Sequence, residues 1–264
     1  MKNPGLFYRR GWAVMGAALA AALAACPGGG GQGNGAGFEA YEAASLGELS
    51  ALLAGLPLNT AENPWHIALK GVNLGNLGGA EDGMEPLFRT FQGRYVSLAM
   101  DACTGATIGW GSSAAQNTAG RPDKDKLAAV ALPAGAVRVG YRAFENARSL
   151  KSAVFPPSLR TIGRAAFSGC VSLARAELPE TLEHIEDAAF SGCANLETLV
   201  LRGQSPPGLG RGPYSPPLPP GEDPGVFSGL PGNFRIMVPP GREAAYKAAS
   251  GWSFYSSHIG ASNR

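Results

Sequence analysis

The sequence predicts an α/β solenoid, a stack of similar units of about 23 residues with a parallel sheet on one face. Three observations carry this. Leucines recur at Leu127, Leu150, Leu173 and Leu196, a constant step of 23 residues. Further apolar positions keep that step, at Leu132, Phe155, Leu178 and Leu201, at Val139, Ile162 and Ile185, and at Phe144, Phe167 and Phe190. A proline follows the second series at Pro133, Pro156 and Pro179, and only Arg202 breaks it. A fixed period in this range marks a repeat architecture, in which each unit buries its apolar face against its neighbours.

The composition allows such a body. Of 264 residues, 45% are hydrophobic, enough for a core. Only 16% are charged, and 38 Gly with 21 Pro imply many turns. Net charge is +2 and no Lys/Arg run stands out, so the electrostatic footprint of nucleic-acid binding is missing.

The N-terminus reads as an address. Lys2, Arg9 and Arg10 precede an apolar run from Gly11 to Ala25, the length of a signal-peptide core and too short to span a bilayer. The run ends in Leu23-Ala24-Ala25-Cys26, which resembles the lipobox of bacterial lipoproteins. That resemblance implies cleavage before Cys26 and a diacylglyceryl group on its thiol, with acylation of the new amino group. One acyl chain holds weakly, and two or three hold stably. The alternative is an ordinary secretory signal with a chance cysteine. Residues 1–25 are thus the signal peptide and 26–37 a Gly-rich tether. The Gly-x-Gly spacings of the tether follow no strand, so no nucleotide loop is read there.

Residues 38–126 are predicted to hold an N-terminal cap and irregular rungs. Ser45 to Leu56 reads as a helix: Ser45 and Glu48 form a capping box, Leu46, Leu49, Leu52, Leu53 and Leu56 share a face, and Gly55 and Pro57 stop it. Such a helix is expected to cover the first open edge of the core, with partner binding as the alternative. Trp65, Ile67 and Leu69 alternate as a strand does, and Tyr95 to Met100 reads as another. Both are expected to be degenerate rungs. Asp101 to Asp125 shows no periodicity and is expected to be a loop or insertion.

Residues 127–202 are the regular part. Each unit opens as Leu-x-x-apolar-x-apolar-Pro, and alternation turns Val130/Leu132, Ala153/Phe155, Ala176/Leu178 and Leu199/Leu201 inward. The proline ends the strand by removing a ladder donor. A second segment, such as Thr161 to Cys170, sends its Ile and Phe back to the core from the opposite wall. Residues 203–225 read as a Pro-rich inserted loop, with no periodic signal from Ser205 to Gly225. Residues 226–264 read as a last partial repeat and a C-terminal cap. Val238 follows Phe227 by 11 residues, as Leu178 follows Phe167. A short helix is predicted from Glu243 to Ser250, and Tyr246, Trp252 and Tyr255 are expected to cover the last open rung.

The joint pattern resembles the BspA-like leucine-rich repeats of bacterial surface proteins. Ser158-Leu159, Ile162-Gly163, Ala166-Phe167, Cys170 and Leu173 match one full unit. Leu182, Ile185, Ala189-Phe190, Cys193 and Leu196 match the next, with Glu186 in place of Gly, while Ala147 stands where the first unit would have its Cys. The resemblance implies a non-enzymatic protein that mediates protein–protein interaction or adhesion at the bacterial cell surface, with host or envelope proteins as partners and the membrane held through the lipid on Cys26. The alternative is a structural envelope lipoprotein without a dedicated ligand.

Chemistry is sparse. His66, His184 and His258 are isolated, and no HExxH, GxSxG elbow or P-loop occurs. No catalytic residue, metal ligand, cofactor or small-molecule substrate is assigned. A site around Asp101, Cys103 and Trp110 is what an enzyme would need, and Ser112-Ser113 nearby has no base beside it. Cys170 and Cys193 occupy one position of adjacent units. A stack of buried thiols is favoured there, with a disulfide or metal ligation as alternatives. Glu183, Glu186 and Asp187 read as a solvated edge. Alternation turns Ala129/Ala131, Ser152/Val154, Arg175/Glu177 and Thr198/Val200 outward. Because solenoids bind with their sheet surface, Ser152, Val154, Arg175, Glu177, Thr198 and Val200 form the candidate binding face, small, mixed and neutral. The Pro-rich loop with Tyr214 is a second candidate.

Overall fold

Two alternations per unit give two strands per unit, a longer one before the proline and a two-residue one after it. The computed structural model describes residues 41–74, 85–100, 102–105, 107–108, 123–211 and 223–262. In chain order its elements are β1 (Tyr41–Ala43), α1 (Leu46–Gly55), β2 (Trp65–Leu69), α2 (Glu85–Arg89), β3 (Val96–Ala99), β4 (Thr107–Ile108), β5 (Leu127–Ala131), β6 (Arg138–Val139), β7 (Ser152–Val154), β8 (Thr161–Ile162), β9 (Arg175–Leu178), β10 (His184–Ile185), β11 (Thr198–Leu201), β12 (Gly208–Leu209), β13 (Arg235–Val238), α3 (Glu243–Ala248) and β14 (Ile259–Ala261). Short 3-10 helices lie at Lys124–Lys126 and Trp252–His258.

These strands build a repeat solenoid with two walls. The front wall consists of two sheets, β1-β2-β3-β5-β7 and β9-β11-β13-β14, and the back wall of one, β4-β6-β8-β10-β12. Every ladder is parallel. Ala129 pairs with Ser152, Arg175 with Thr198, and Arg138 with Thr161 and then His184, partners 23 residues apart.

The core lies between the walls. Val130, Leu132, Ala176, Leu178, Leu199 and Leu201 enter from the front, and Val139, Ile162 and Ile185 from the back, all buried. A column of rings runs through it: Phe144–Phe167 at 5.2 Å, Phe167–Phe190 at 5.5 Å and Phe190–Phe227 at 6.1 Å, each stacked. Such pairs contribute about 0.5–1.5 kcal/mol beyond burial. The Phe N–H groups of 144, 167 and 190 donate to Ala166, Ala189 and Val226 in the following unit. The turns need left-handed backbone in register: φ is 53° at Arg142 and Ala165 and 54° at Ala188. Gly169 (φ 72°) meets a second demand, because a Cβ there would lie 2.5 Å from Asn146 Oδ1 of the preceding unit.

The N-terminal helix and the two strands read from the sequence are present. Ser45 Oγ accepts the Glu48 N–H at 3.1 Å, and the Glu48 carboxylate accepts from Ala44 N–H at 2.8 Å, one residue earlier than a standard capping box. Leu49 and Leu53 are fully buried, and α1 packs beside β1. The strands at Trp65 and Val96 are rungs of the front wall, and β1 adds a further rung that the sequence reading lacked.

Three findings differ from the sequence reading. First, 101–125 is not all loop: Thr107–Ile108 pairs with Arg138–Val139 and forms the first back rung. Second, Gly208–Leu209 pairs with His184–Ile185, so part of 203–225 is a regular rung. Phe190 follows Ile185 by five positions, whereas Phe227 follows Leu209 by eighteen, so the insertion falls between Leu209 and Val226. Two-residue strands carry too little pattern to be read. Residues 212–222, with Tyr214, lie outside the described residues.

Third, the front wall parts between β7 and β9, which belong to different sheets. Ser152, Ala153, Val154 and Phe155 are all half-buried, although the inward positions of the flanking rungs are fully buried. Phe155 fills a slot that Leu132, Leu178 and Leu201 fill elsewhere, and its ring stands edge-on to Phe167 at 5.5 Å. The back wall is continuous across the same point, since β8 pairs with β10.

At the C-terminal end, Trp252 and Tyr255 pack on Phe227 at 6.1 and 5.0 Å, and Tyr246 packs on Trp252. Their polar tips are satisfied. Tyr246 OH donates to Gly203 O, Trp252 Nε1 to Pro207 O and Tyr255 OH to Asp223 Oδ1.

Candidate interaction face

Outward positions of the front wall fall into rows across the strands. The first row reads Ser152, Arg175, Thr198, Arg235, and the second Val154, Glu177, Val200, Met237. Over the earlier rungs, His66 (half-buried), Ser97 and Ala129 continue the first row, and Glu42 (exposed), Ala68, Ala99 and Ala131 the second. Ser97 and the four alanines are 1–8% exposed. Ala129 and Ala131 are therefore not surface, contrary to the alternation argument. Alternation separates the two sides of a sheet, but it does not report whether the outer side is shielded.

Among the six candidate residues, Arg175 and Glu177 are exposed, Ser152, Val154 and Thr198 are half-buried, and Val200 is 3% exposed. Val200 is a correction. It sits in register between the long side chains of Glu177 and Met237, which leave it no room to reach a partner. The structure does not gather all six into one patch, because the parting of β7 from β9 runs between Ser152/Val154 and the rest.

Two residues absent from the sequence-level face belong to it. Arg202 follows Leu201 at a position where neighbouring units carry Pro179 and Pro239, so the break in the proline series places a guanidinium outward. Its Nε donates to Glu177 Oε1 at 2.7 Å, and Arg175 Nη2 lies 3.4 Å from Glu177 Oε2. All three side chains are about half exposed, so each pair contributes at most about 1 kcal/mol. Arg235, brought in by β13, is exposed and donates through Nη1 to Phe234 O; no carboxylate pairs with it among the described residues. The break at Arg202 was visible in the sequence, but its direction needed the register.

The expected solvated edge is a second correction. Glu183 is exposed and pairs with Arg160. Glu186 is 8% exposed: Oε1 accepts from Arg138 Nη2 at 2.7 Å and Oε2 from the Arg164 N–H at 2.9 Å. It stands in the slot that Gly140 and Gly163 fill in other units, and its partners come from two earlier turns. Asp187 is half-buried. Burial pushes its carboxyl up from the usual range, which Arg164 and Arg211 only partly offset, and its Oδ1 accepts no hydrogen bond. His184 Nε2 lies 3.2 Å from Gly210 O and 2.9 Å from Arg211 O, pinning the chain that leaves β12. Burial alone lowers the His66 imidazole.

Cys103, Cys170 and Cys193 are buried, and Cys170 and Cys193 are unbridged thiols, so the stacked-thiol reading of that pair stands over the disulfide. Cys170 Sγ donates to Phe144 O at 3.2 Å and Cys193 Sγ to Phe167 O at 3.1 Å. Burial pushes Cys193 up to about 12 and Cys170 well above its ordinary value, so neither is a nucleophile. Among the described residues, no group of three or more His, Cys, Asp or Glu could hold a metal ion, and no helix is long and apolar enough to cross a membrane. Cys26, Asp101, Trp110, Ser112 and Ser113 lie outside the described residues.

The sequence profile of the BspA type leucine rich repeat region matches residues 123–205 in six copies. No curated protein matches the chain. Among solved structures, the leucine rich repeat protein of T. pallidum is 26% identical, with 55% of this chain and 72% of that chain covered and a TM-score of 0.34.

Proposed function

Because residues 123–205 belong to the BspA-type leucine-rich repeats, we propose that this chain is a non-enzymatic, lipid-anchored binding protein of the bacterial envelope, displayed at the cell surface, that holds a protein partner on the front face of β9, β11 and β13. Leucine-rich repeats in general mediate protein interactions, and solenoids bind with their extended sheet surfaces. The observation that carries the location is exposure. The outward positions are shielded over β3 and β5 and accessible at Arg175, Glu177, Arg202 and Arg235. In the same reading, α1 at one end and α3 with the following 3-10 helix at the other cap the stack of 23-residue units, which would otherwise end in open apolar rungs. The address rests on the apolar N-terminal run and on Cys26 with its diacylglyceryl group.

Protease treatment of intact cells that express the full chain tests the placement, and binding of those cells to host matrix and envelope proteins tests the role. Cleavage on intact cells, with binding lost in Arg175→Ala/Arg235→Ala, is the expected result. A protein that stays whole on intact cells is held inside the envelope, where a structural role without a dedicated ligand is the better account.

A further inference from the structure

Resting on the front-face reading, we propose that the partner presents an acidic, extended protein segment. Alternation alone gives a neutral strip, with Arg175 beside Glu177 and no other charge. The register changes that balance. Val200 is buried, Arg202 joins where the proline series breaks, and Arg235 joins because β13 pairs with β11. The outward positions of β9, β11 and β13, with Arg202, then carry three guanidiniums against one carboxylate, with exposed Glu180 and Glu197 at the strand ends. Glu177 is shared between Arg175 and Arg202, and no carboxylate of the described residues pairs with Arg235. Arg175 and Arg235 stand two strands apart, about 10 Å, the rise of roughly three residues of extended chain. Guanidinium favours carboxylate through paired donors. The half-buried Met237 and Pro239, further along β13 from Arg235, offer apolar contact to side chains, which favours a peptide over a polyanionic glycan.

The test measures binding of the full-length protein to short labelled peptides carrying Glu, Gln or Lys at every third position among Ser and Val, and to a sulfated glycan. The Glu peptide is expected to bind, to weaken as salt rises, and to lose about tenfold in affinity in Arg175→Gln/Arg235→Gln. Arg160→Gln, on the back wall, should leave binding unchanged, and circular dichroism should show both variants folded. Absence of binding by the Glu peptide overturns the proposal. So does equal or tighter binding of the Gln or Lys peptide; if the double variant weakens that binding, the front face stands and only the acidic partner falls. Preferential binding of the glycan, lost in the double variant, replaces the peptide with a polyanion. Binding that no front-face variant alters overturns this proposal and the front-face reading together.

Discussion

Phe167 touches more of the repeating core than its neighbours do, with Phe144 and Phe190 stacked on its two faces and Phe155 edge-on. We expect Phe167→Ala to lower stability by about 3–5 kcal/mol in urea titration, and Phe167→Asp to abolish the cooperative transition by placing a charge in the shared core. Asp187 gives a pH signature. Its carboxyl is raised in the folded state, so the folded protein holds that proton more tightly than the unfolded chain does. The stability this contributes is full below the ordinary carboxylate value and is lost as pH rises through the folded value. Asp187→Asn is therefore expected to stabilise the protein at neutral pH and to lose that advantage in acid, as thermal melts across the range will show. Core residues such as Phe167 were legible because they repeat at one spacing. Glu186 was visible only as a departure from Gly, since its partner Arg138 is 48 positions away and nothing local announces it.

At the scale of elements, the parting of β7 from β9 leaves backbone groups without a ladder in the middle of the front wall. Amide exchange is expected to be faster along β7 and the facing side of β9 than along β11, which is paired on both sides. Phe155→Leu, which restores the residue that fills this slot in neighbouring units, should slow that exchange; equal rates in both proteins would remove Phe155 as the cause. The long front strands could be read from alternation and the proline that follows. The two-residue strands β4 and β12 could not, because two residues show no period and their place is set by pairing across units. The parting itself was hidden, since Ala153 and Phe155 obey the inward pattern, and only pairing and burial in the fold distinguish them.

For the molecule as a whole, the sequence reading and the fold agree on a stack of parallel rungs, and they part over which side of it is available. The sequence reading placed a neutral face over Ser152 to Val200, whereas the outward residues over β9, β11 and β13, with Arg202, carry three guanidiniums against one carboxylate. We expect the placement of this face relative to a membrane to depend on Cys26: Cys26→Ala should abolish incorporation of labelled fatty acid while leaving the repeats folded. Persistent label in that variant would remove the anchor from the account.

The front wall opens between β7 and β9 while the back wall, with β8 on β10, runs through. A stack bound along one side and parted along the other can change its curvature at a single joint. The Phe167–Phe190 stack lies inside that joint and gives it a packed pivot. On the proposed function, a partner seated on β9, β11 and β13 would grip only the segment on the C-terminal side of that joint.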